Sequence, residues 1–415
     1  MATNIRGAVA RISVGGWFEL YDLFMTAYIS LGLIRAGLFS ATSPSPFALQ
    51  GFASFISCGF AGMFFGTLIF AGISDRYGRK AAFTYSLVWY SLATLVMAFM
   101  QSGPAIDAWR FLAGLGIGVQ LVTSDAYVSE IVPKEQRGRW IAFTQVIGYT
   151  AIPAAALFAY LLVPHTFGGL DGWRIVALIG SLGGVVIWFV RPGLPDSVRW
   201  EAARSERAAT GPAFTLKTIF NPTYRRRTVM LVIFNLLQSI GFYGFASWVP
   251  IFLASQGVEL THSLQYSFLI AIVNPLGPVL AMFYADRFQR KWQIVVLALI
   301  VAVAGLAFAH VRTPILIVGL GIVVTLGLAW FSATYHAYQA ELFPTRIRGQ
   351  AVGFVYSWSR FSSIFVPFLI AAVLRAQGTL GVFLVIGSAM AIVALDIGVL
   401  GPNSNGRDLD ELSPL

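Results

Sequence analysis

Residues 75–80 read DRYGRK, and residues 286–291, 211 positions later, read DRFQRK. A second pair of motifs keeps the same offset. The first copy is EIVP at 130–133, and the second is ELFP at 341–344. Each is followed by an Arg-Gly dipeptide, at 137–138 and 348–349. Two charged motifs that recur at one constant spacing indicate an internal duplication.

The chain is far more apolar than a soluble protein. Hydrophobic residues make up 57% of it and charged residues only 11%, whereas a soluble domain carries about 25% charged residues. Apolar stretches of about 20 residues, each long enough to cross a bilayer as a helix, recur throughout. Helix is the expected form, because lipid leaves backbone polar groups no partner outside the segment. We count twelve such stretches, numbered helices 1 to 12: 12–36, 49–73, 81–101, 105–130, 140–163, 173–190, 228–253, 264–285, 293–310, 314–339, 350–374 and 380–400.

The duplication and the helix count together predict an all-α membrane protein. Its twelve transmembrane helices would form two pseudo-symmetric six-helix bundles, an arrangement typical of transporters. The predicted domains are an N-terminal bundle (1–190), a cytoplasmic linker (191–227), a C-terminal bundle (228–400) and a cytoplasmic tail (401–415). Within the linker, Trp200–Ala209 is either a short amphipathic helix or part of a solvated connection.

The net charge of +10 raises the possibility of nucleic-acid binding, but its distribution favours membrane topology. We place 22 of the 28 Lys and Arg residues in the N-terminus, alternate loops and the C-terminus. Four others, Arg35, Arg174, Arg312 and Arg375, lie near the opposite helix ends. This asymmetry follows the positive-inside rule and predicts that both termini are cytoplasmic. We expect no cleaved signal peptide.

Enzymatic chemistry finds little support in the sequence. The lone Cys58 excludes an intrachain disulfide and a cysteine-based metal cluster. The four histidines, together with the other polar residues, form no recognisable nucleophile–base set or phosphate-binding loop. We therefore expect no enzyme activity, no metal and no cofactor other than protons as the coupling ion.

The loop between helices 2 and 3, GISDRYGRK at 72–80, resembles the signature loop of the major facilitator superfamily. Its second copy lies where that family repeats it, and the resemblance covers essentially the whole chain. The resemblance implies alternating access around a cavity at the bilayer midplane. It also implies that the loop charges are conformational latches, because an acid followed by basic residues can clamp neighbouring helix ends. The predicted latch residues are Asp75, Arg76, Arg79, Glu130, Arg137, Asp286, Arg287, Arg290, Glu341 and Arg348.

Several further positions resemble the sugar porter branch of that family and its proton-coupled relatives. The stretch RFLAGLGIG at 110–118 opens helix 4, and its close glycines also fit simple tight helix packing. The resemblance assigns cavity positions to Gln145 on helix 5, Gln238 on helix 7 and Asn274 on helix 8. The segments 194–200 and 401–407 are similar to motifs that follow helices 6 and 12 in sugar porters.

Helix 1 carries two carboxylates, Glu19 and Asp22, on one helical face. Ionised acids inside a membrane are costly and usually face a cavity or a partner. Asp22 also matches the helix 1 Asp of proton-coupled sugar porters, whose helix 4 Arg partner corresponds to Arg110. We predict that Asp22 carries the proton, that Arg110 tunes it and that Glu19 assists. A permanent Asp22–Arg110 ion pair is the structural alternative. Asp125 is a second protonation candidate, or a capping acid.

Tyr21 lies between the two helix 1 acids and is predicted to contact substrate. Other substrate positions follow from departures from the sugar porter pattern. His336 stands where sugar porters have a helix 10 Trp, Arg360 where they often have a helix 11 aromatic, and Tyr243 where they have a helix 7 Asn. The cavity thus loses contacts for a neutral sugar and gains a cation within the membrane.

Arg360 favours an anionic substrate. Its planar fork can donate two parallel hydrogen bonds to a carboxylate. Aromatic walls with one cationic anchor suit a small organic acid. Pairing with a helix 1 acid or extension to the interface are the alternatives for Arg360, and a structural role is the alternative for His336. The aromatic residues near these positions, each of which could instead be packing, are Tyr356, Trp358, Phe361, Phe365, Trp330, Tyr335 and Tyr338.

The function predicted from the sequence is proton-coupled symport of a small organic carboxylate. A sugar or polyol, then phosphate, then export of drugs or metabolites are the alternatives. Phosphate ranks below organic acids because phosphate:proton relatives carry a helix 4 acid where this chain has Gln120. A membrane receptor is disfavoured because no signalling domain is recognisable. We expect a monomer in a prokaryotic inner membrane, with the lipid bilayer and a small anion, not nucleic acid, as its partners.

Overall fold

The computed structural model describes residues 5–41, 51–133, 137–194, 219–284, 287–343 and 348–405. Within these ranges the side chains at 70–76, 122, 125, 126, 129, 137, 138, 193, 348 and 349 are outside the description. The predicted linker helix at Trp200–Ala209 and the predicted linker and tail as units also lie largely outside the described residues, so their boundaries stay predictions.

Each of the six predicted stretches in the first half is helical, and three of them contain a short break. Helices 2, 3 and 4 are single segments, Phe52–Tyr77, Arg79–Met97 and Gly103–Ile131. The interrupted helices are helix 1 (Ile5–Tyr28, Ser30–Arg35), helix 5 (Arg137–Tyr149, Ala151–Leu162) and helix 6 (Gly172–Ser181, Gly183–Val190). A 3-10 turn, Arg191–Gly193, follows helix 6. Two short antiparallel strands, Thr166–Phe167 and Leu170–Asp171, form a hairpin before helix 6.

The second half repeats this plan. Helices 7 and 8 are interrupted, as Pro222–Ala246 with Val249–Ser255 and Leu260–Ala271 with Leu276–Tyr284. Helices 9 and 10 run through Arg290–His310 and Pro314–Glu341. Helices 11 and 12 form one continuous segment, Arg348–Leu400, which breaks at Gly378, where φ is 66° and ψ is −166°. Such a positive φ is open to glycine at little cost, so the chain reverses there.

Helix 7 begins earlier than the predicted boundary at residue 228. Pro222 occupies its first turn, and the Asn221 side chain accepts a hydrogen bond of 2.9 Å from the Tyr224 amide. Asn before a helix and Pro inside its first turn are standard start signals, because they satisfy or remove the free amide donors there. The C-terminal bundle therefore starts at this cap rather than at the first long apolar run.

Eight helical segments among the described residues are long and apolar enough to cross a membrane, and one of them, Gln350–Leu400, contains both helices 11 and 12. Helices 1 and 4, which are not among these eight segments, carry the buried charges Glu19, Asp22 and Arg110. The twelve-helix fold predicted from the sequence is confirmed.

Helix 4 packs against helix 2 through its glycine run. A Cβ atom at Gly114 would overlap the carbonyl oxygen of Gly59, and one at Gly118 would overlap that of Met63. Only glycine permits backbones to approach this closely. The run 110–118 therefore fixes the position of helix 4, and with it the position of Arg110.

Candidate functional site

Four of the five predicted latch residues with described side chains form two equivalent ion pairs. Arg79 Nε lies 2.9 Å from Glu130 Oε1 in the first half, and Arg290 Nη1 lies 2.9 Å from Glu341 Oε1 in the second. Each pair joins the start of one helix to the end of the next within a single bundle. Arg287 lies over the Tyr284 ring, 5.7 Å from its centroid. The predicted latch and proton residues outside the described side chains are Asp75, Arg76, Asp125, Arg137, Asp286 and Arg348.

The segment after helix 12 contacts the second ion pair. Asn405, in the segment after helix 12, accepts a 2.6 Å hydrogen bond from Arg290 through its Oδ1 and donates a 2.8 Å bond to the Phe288 carbonyl. The tail motif thus holds the second copy of the charged loop. That these charges act as conformational latches stays a prediction.

Asp22 and Arg110 form a closed ion pair inside the N-terminal bundle. Asp22 Oδ2 lies 2.6 Å from Arg110 Nη1, and the two residues are 0% and 2% exposed. Arg110 Nη2 donates to the Asp22 carbonyl at 3.0 Å and to the Thr26 hydroxyl at 2.6 Å. Thr94, on helix 3, donates a 2.7 Å bond to Asp22 Oδ1. Each carboxylate oxygen of the helix 1 acid therefore accepts a hydrogen bond, Oδ1 from helix 3 and Oδ2 from helix 4.

Two other helix 1 predictions fall in the same bundle, away from the interface with the C-terminal half. Glu19 is buried on the face that carries Asp22. Tyr21 is fully buried and donates a 3.1 Å hydrogen bond to the Val176 carbonyl on helix 6. Its ring stacks on Trp17, with centroids 5.4 Å apart. Tyr21 is thus a packing residue in this geometry, because its hydroxyl is already used within the bundle.

Arg360 is the matching buried cation of the C-terminal bundle, but its partners are neutral. Nη1 donates a 2.9 Å hydrogen bond to the Tyr243 hydroxyl, and Nη2 donates a 3.1 Å bond to the Tyr356 hydroxyl. Among the described residues no carboxylate forms an ion pair with it. Arg360 is 7% exposed. It therefore neither pairs with a helix 1 acid nor extends to the surface.

Aromatic rings surround this guanidinium. The Tyr356 ring lies under it, 5.2 Å from Cζ to the centroid. His336 stacks on Tyr335 at 4.3 Å and meets the edge of Tyr356 at 5.1 Å. The His336 Nδ1 also lies 3.3 Å from the Gln339 side-chain amide. We refer to Tyr243, Tyr335, His336, Tyr356 and Arg360 as the Arg360 cluster.

The Arg360 cluster lies where the two bundles meet. Tyr243 packs against Phe60 of helix 2, with centroids 4.5 Å apart. Tyr149 of helix 5 reaches the Ser332 hydroxyl of helix 10 at 3.5 Å. A small cavity beside the cluster is lined by both Arg110 and Tyr243. Arg110 therefore faces this inter-bundle space directly, and Arg360 reaches it through Tyr243.

The three predicted amide positions divide between packing and cavity. Gln238 is buried and donates a 2.7 Å bond to the Ser359 hydroxyl, next to Arg360 in the chain. Asn274 donates a 2.8 Å bond to the Ala271 carbonyl and lines a second small cavity between the bundles. Gln145 is partly buried, four residues before Tyr149.

Several of the aromatic residues near Arg360 in the sequence have packing contacts in this structure, which was the alternative for each of them. Phe361 and Phe365 are 40% and 52% exposed. The Tyr338 hydroxyl donates to the Pro402 carbonyl at 2.8 Å, and Trp330 stacks on Tyr284. Position in sequence near Arg360 does not decide which side of a helix a ring occupies. Helical spacing would have done so for Tyr356, which lies one turn before Arg360.

Sequence reasoning missed three polar residues at these sites. Thr94 and Tyr149 have no charged residue near them in the sequence, so no sequence signal distinguished them. Asp107 lies one turn before Arg110 and is 2% exposed. That spacing was the available signal for it.

Two helical bundles with buried charged residues at their interface define a membrane transporter. Residues 21–314 and 271–405 match the sequence model of the Major Facilitator Superfamily, and the chain belongs to that family. It is therefore an integral, multi-pass membrane protein and not an enzyme, as the sequence predicted.

Relatives and solved structures agree with this assignment. The chain is 30% identical to YyaJ of Bacillus subtilis (strain 168), named as a metabolite transport protein, over 95% of this chain and 91% of YyaJ. It is 27% identical to the niacin transporter NiaP of Acinetobacter baylyi, over 97% and 94% of the two chains. It is 25% identical to a gentisate transporter of Corynebacterium glutamicum, over 94% and 87%. A crystal structure of a D-xylose-proton symporter matches 97% of this chain and 99% of its own, with a TM-score of 0.79 at 19% identity.

Proposed function

We propose that this protein transports a small organic carboxylate together with a proton. Arg360 would bind the carboxylate, and Asp22 would carry the proton. The observation that supports this assignment best is the environment of Arg360, a buried guanidinium whose described hydrogen-bond partners are two tyrosine hydroxyls.

A carboxylate would complete this site. Removing a cation from water costs several kcal/mol unless an opposite charge is near. Neutral hydroxyls meet the hydrogen-bonding needs of the guanidinium only in part, and they supply no negative charge. A substrate carboxylate could accept two parallel bonds from Arg360, while the displaced Tyr243 and Tyr356 hydroxyls turn and donate to the same anion. The site holds its cation in neutral contacts, and a bound carboxylate would add an opposite charge.

The walls of the Arg360 cluster favour a substrate with a flat ring. Tyr335, His336 and Tyr356 present ring faces and edges beside the guanidinium. Aromatic pairs prefer such stacked and edge-to-face arrangements. Two relatives bear the names of aromatic carboxylic acids, niacin and gentisate. Their sequence similarity supports this substrate class for the present chain.

Proton coupling is proposed from the Asp22–Arg110 pair. A carboxylate that enters alone moves one negative charge against an inside-negative potential, at a cost of about 2.3 kcal/mol per 100 mV. Entry with one proton removes that cost. Protonation of Asp22 would remove its charge from the ion pair and allow Arg110, which lines the same cavity as Tyr243, to change position. A change at Asp22 can thus reach the Arg360 cluster through a shared space.

A ligand screen of the purified protein tests the substrate class. A ligand that binds only the native state raises the free energy of unfolding by about 2.7 kcal/mol at a concentration of 100 Kd. The melting temperature rises as a result. We expect stabilisation by nicotinate and benzoate and none by nicotinamide or benzyl alcohol, which keep the ring but lack the charge. Stabilisation by the amides and alcohols alone would contradict the anion site.

Uptake by proteoliposomes tests the coupling. We expect proteoliposomes with a lower pH outside than inside to accumulate the carboxylate that binds in the screen. In Asp22→Asn, exchange of labelled for unlabelled substrate should continue while accumulation is lost. Accumulation by Asp22→Asn equal to that of the parent would rule out Asp22 as the proton carrier.

A neutral sugar or polyol is the second candidate, favoured by Asn274 in the larger cavity. The same screen separates it, because xylose or xylitol would then stabilise the protein and the carboxylates would not. Stabilisation by inorganic phosphate would instead favour a phosphate transporter. Stabilisation by lipophilic cations would favour a drug exporter, and either result would contradict the carboxylate proposal.

A further inference from the structure

A second carboxylate, Asp107, is buried one turn before Arg110 on helix 4. Ser54 on helix 2 donates a 2.7 Å hydrogen bond to its Oδ2, and its side chain is 2% exposed. Its Oδ1 has no hydrogen-bond partner in the described part of the chain, and no described cation pairs with it. An unpaired ionised carboxylate in such a site costs several kcal/mol. Asp107 is therefore best accommodated as the neutral acid.

Arg110 shows the complementary deficiency. Its Nε is buried without a partner among the described residues. This nitrogen lies against helix 2, where a Cβ atom at Gly59 would stand 3.0 Å from it. Asp107 faces helix 2 as well, through Ser54. One unmet donor and one unmet acceptor thus lie a single turn apart on helix 4 and face the same neighbouring helix.

Among the described residues, Cys58 of helix 2 is a titratable group near Asp107, and it is partly buried and not disulfide-bonded. Asp107 also lies close to the start of helix 4 at Gly103, on the side predicted to be extracytoplasmic. From that surface inward, the order of groups along helix 4 is Asp107 and then Arg110 with its partner Asp22.

We propose that Asp107 is a second proton-binding residue and that Arg110 exchanges carboxylate partners between Asp22 and Asp107. The proposal rests on the proton coupling proposed above. In the transfer, the O–H bond of Asp107 breaks and one forms on a carboxylate oxygen of Asp22. Arg110 keeps its protons and moves its ion pair to Asp107. One carboxylate is ionised before and after, always opposite Arg110, so that no buried charge is left unpaired at either end.

Infrared spectra of the full chain in lipid nanodiscs test this exchange without a substrate. Carboxylic acids and carboxylates absorb at different frequencies, so each variant shows which acid it has lost. At neutral pH we expect Asp107→Asn to lose one carboxylic acid absorption that the parent has. We also expect Asp22→Asn to lose the same absorption, because Arg110 without its partner draws Asp107 into the ionised form. A purely structural Asp107 would not respond to a change at Asp22.

Asp396 is the matched control, because it is a buried acid of helix 12 with an Oδ2 that lacks a partner among the described residues. Asp396→Asn should leave the response to Asp22→Asn unchanged. If Asp22→Asn retains the absorption that Asp107→Asn removes, partner exchange is wrong. If Asp107→Asn removes no carboxylic acid absorption, Asp107 is ionised in the parent and the proposal is wrong. Should the Asn variant not fold, Asp107→Glu provides the same check.

These spectra are independent of the transport assay. Loss of proton-driven uptake in the parent would overturn the coupling proposal and leave the spectra unchanged. Conversely, normal coupling through Asp22 with an ionised Asp107 would overturn only the partner exchange.

Discussion

Arg110 of the N-terminal half and Arg360 of the C-terminal half are both buried near the contact between the bundles, and their hydrogen-bond partners differ in charge. Arg110 has an ionised partner, a backbone carbonyl and a threonine hydroxyl within 3.0 Å. Arg360 has two tyrosine hydroxyls, at 2.9 and 3.1 Å. The N-terminal charge is neutralised by the protein itself, whereas the C-terminal charge has no described counter-ion. Buried cations without a counter-ion are costly, which suggests that the second one is kept for an anion that arrives from outside.

This contrast predicts different consequences when each arginine is removed. Arg110→Met should destabilise the protein by about 3–5 kcal/mol, because it leaves the Asp22 carboxylate buried without its cation. The loss should shrink at acid pH, where protonation removes the stranded charge. Melting of the purified protein at two pH values measures it.

The double variant Arg110→Met with Asp22→Asn is the control for that experiment. It should lose less stability than Arg110→Met alone, since neither charge remains unpaired. Equal melting temperatures for Arg110→Met and the parent would show that the ion pair carries no stability.

Arg360→Ala should weaken carboxylate binding about 100-fold or more, in line with about 2–5 kcal/mol for loss of one partner of a buried charge pair. The empty protein should keep most of its stability, because the partners left behind are neutral hydroxyls. Titration with the carboxylate that stabilises the parent measures the affinity. Arg375, an exposed arginine near the C-terminal end of helix 11, gives the matched control. Arg375→Ala should bind the carboxylate as the parent does.

Tyr243→Phe should weaken the same binding by about tenfold, because hydrogen bonds to charged groups contribute about 1.5–3 kcal/mol. Tyr243 both holds Arg360 and lines the cavity that Arg110 reaches. The measurement is the same titration. An unchanged affinity would mean that Tyr243 only fills space between the bundles, and its ring contact with Phe60 would then be its main role.

Tyr21→Phe should have the smallest effect, a loss of about 1 kcal/mol of stability with binding unchanged. Its hydroxyl donates to a backbone carbonyl within the N-terminal bundle, so only that bond is lost. Melting and titration are measured together. Weaker carboxylate binding would restore the sequence-based prediction that Tyr21 contacts substrate.

Much of the fold was predictable because its cause lies in local sequence. Each of the twelve apolar stretches is helical, since a backbone in lipid has no other means to satisfy its polar groups. The pairing of Asp22 with Arg110 followed from a resemblance and is seen in the structure. Helix boundaries were less predictable, as at Asn221, where a capping residue rather than hydropathy decides the start.

The candidate site divides in the same way. Arg360, His336 and Tyr243 were identified because each departs from the sugar porter pattern, and the structure brings them together. Phe361, Phe365, Trp330 and Tyr338 were not separable from them by sequence, because all are aromatic and close to the same positions. Asp107 was missed because no family pattern marks it.

The sequence by itself determined the two-bundle membrane architecture and the presence of acids in helix 1 and a cation in helix 11. These depend on composition, periodicity and the repeated loop motifs, which are properties of the chain taken in order. Only the tertiary structure decided which charges are paired. Whether a buried arginine meets a carboxylate or a tyrosine hydroxyl depends on which helices pack together and how each is rotated, and in this molecule that choice separates Arg110 from Arg360.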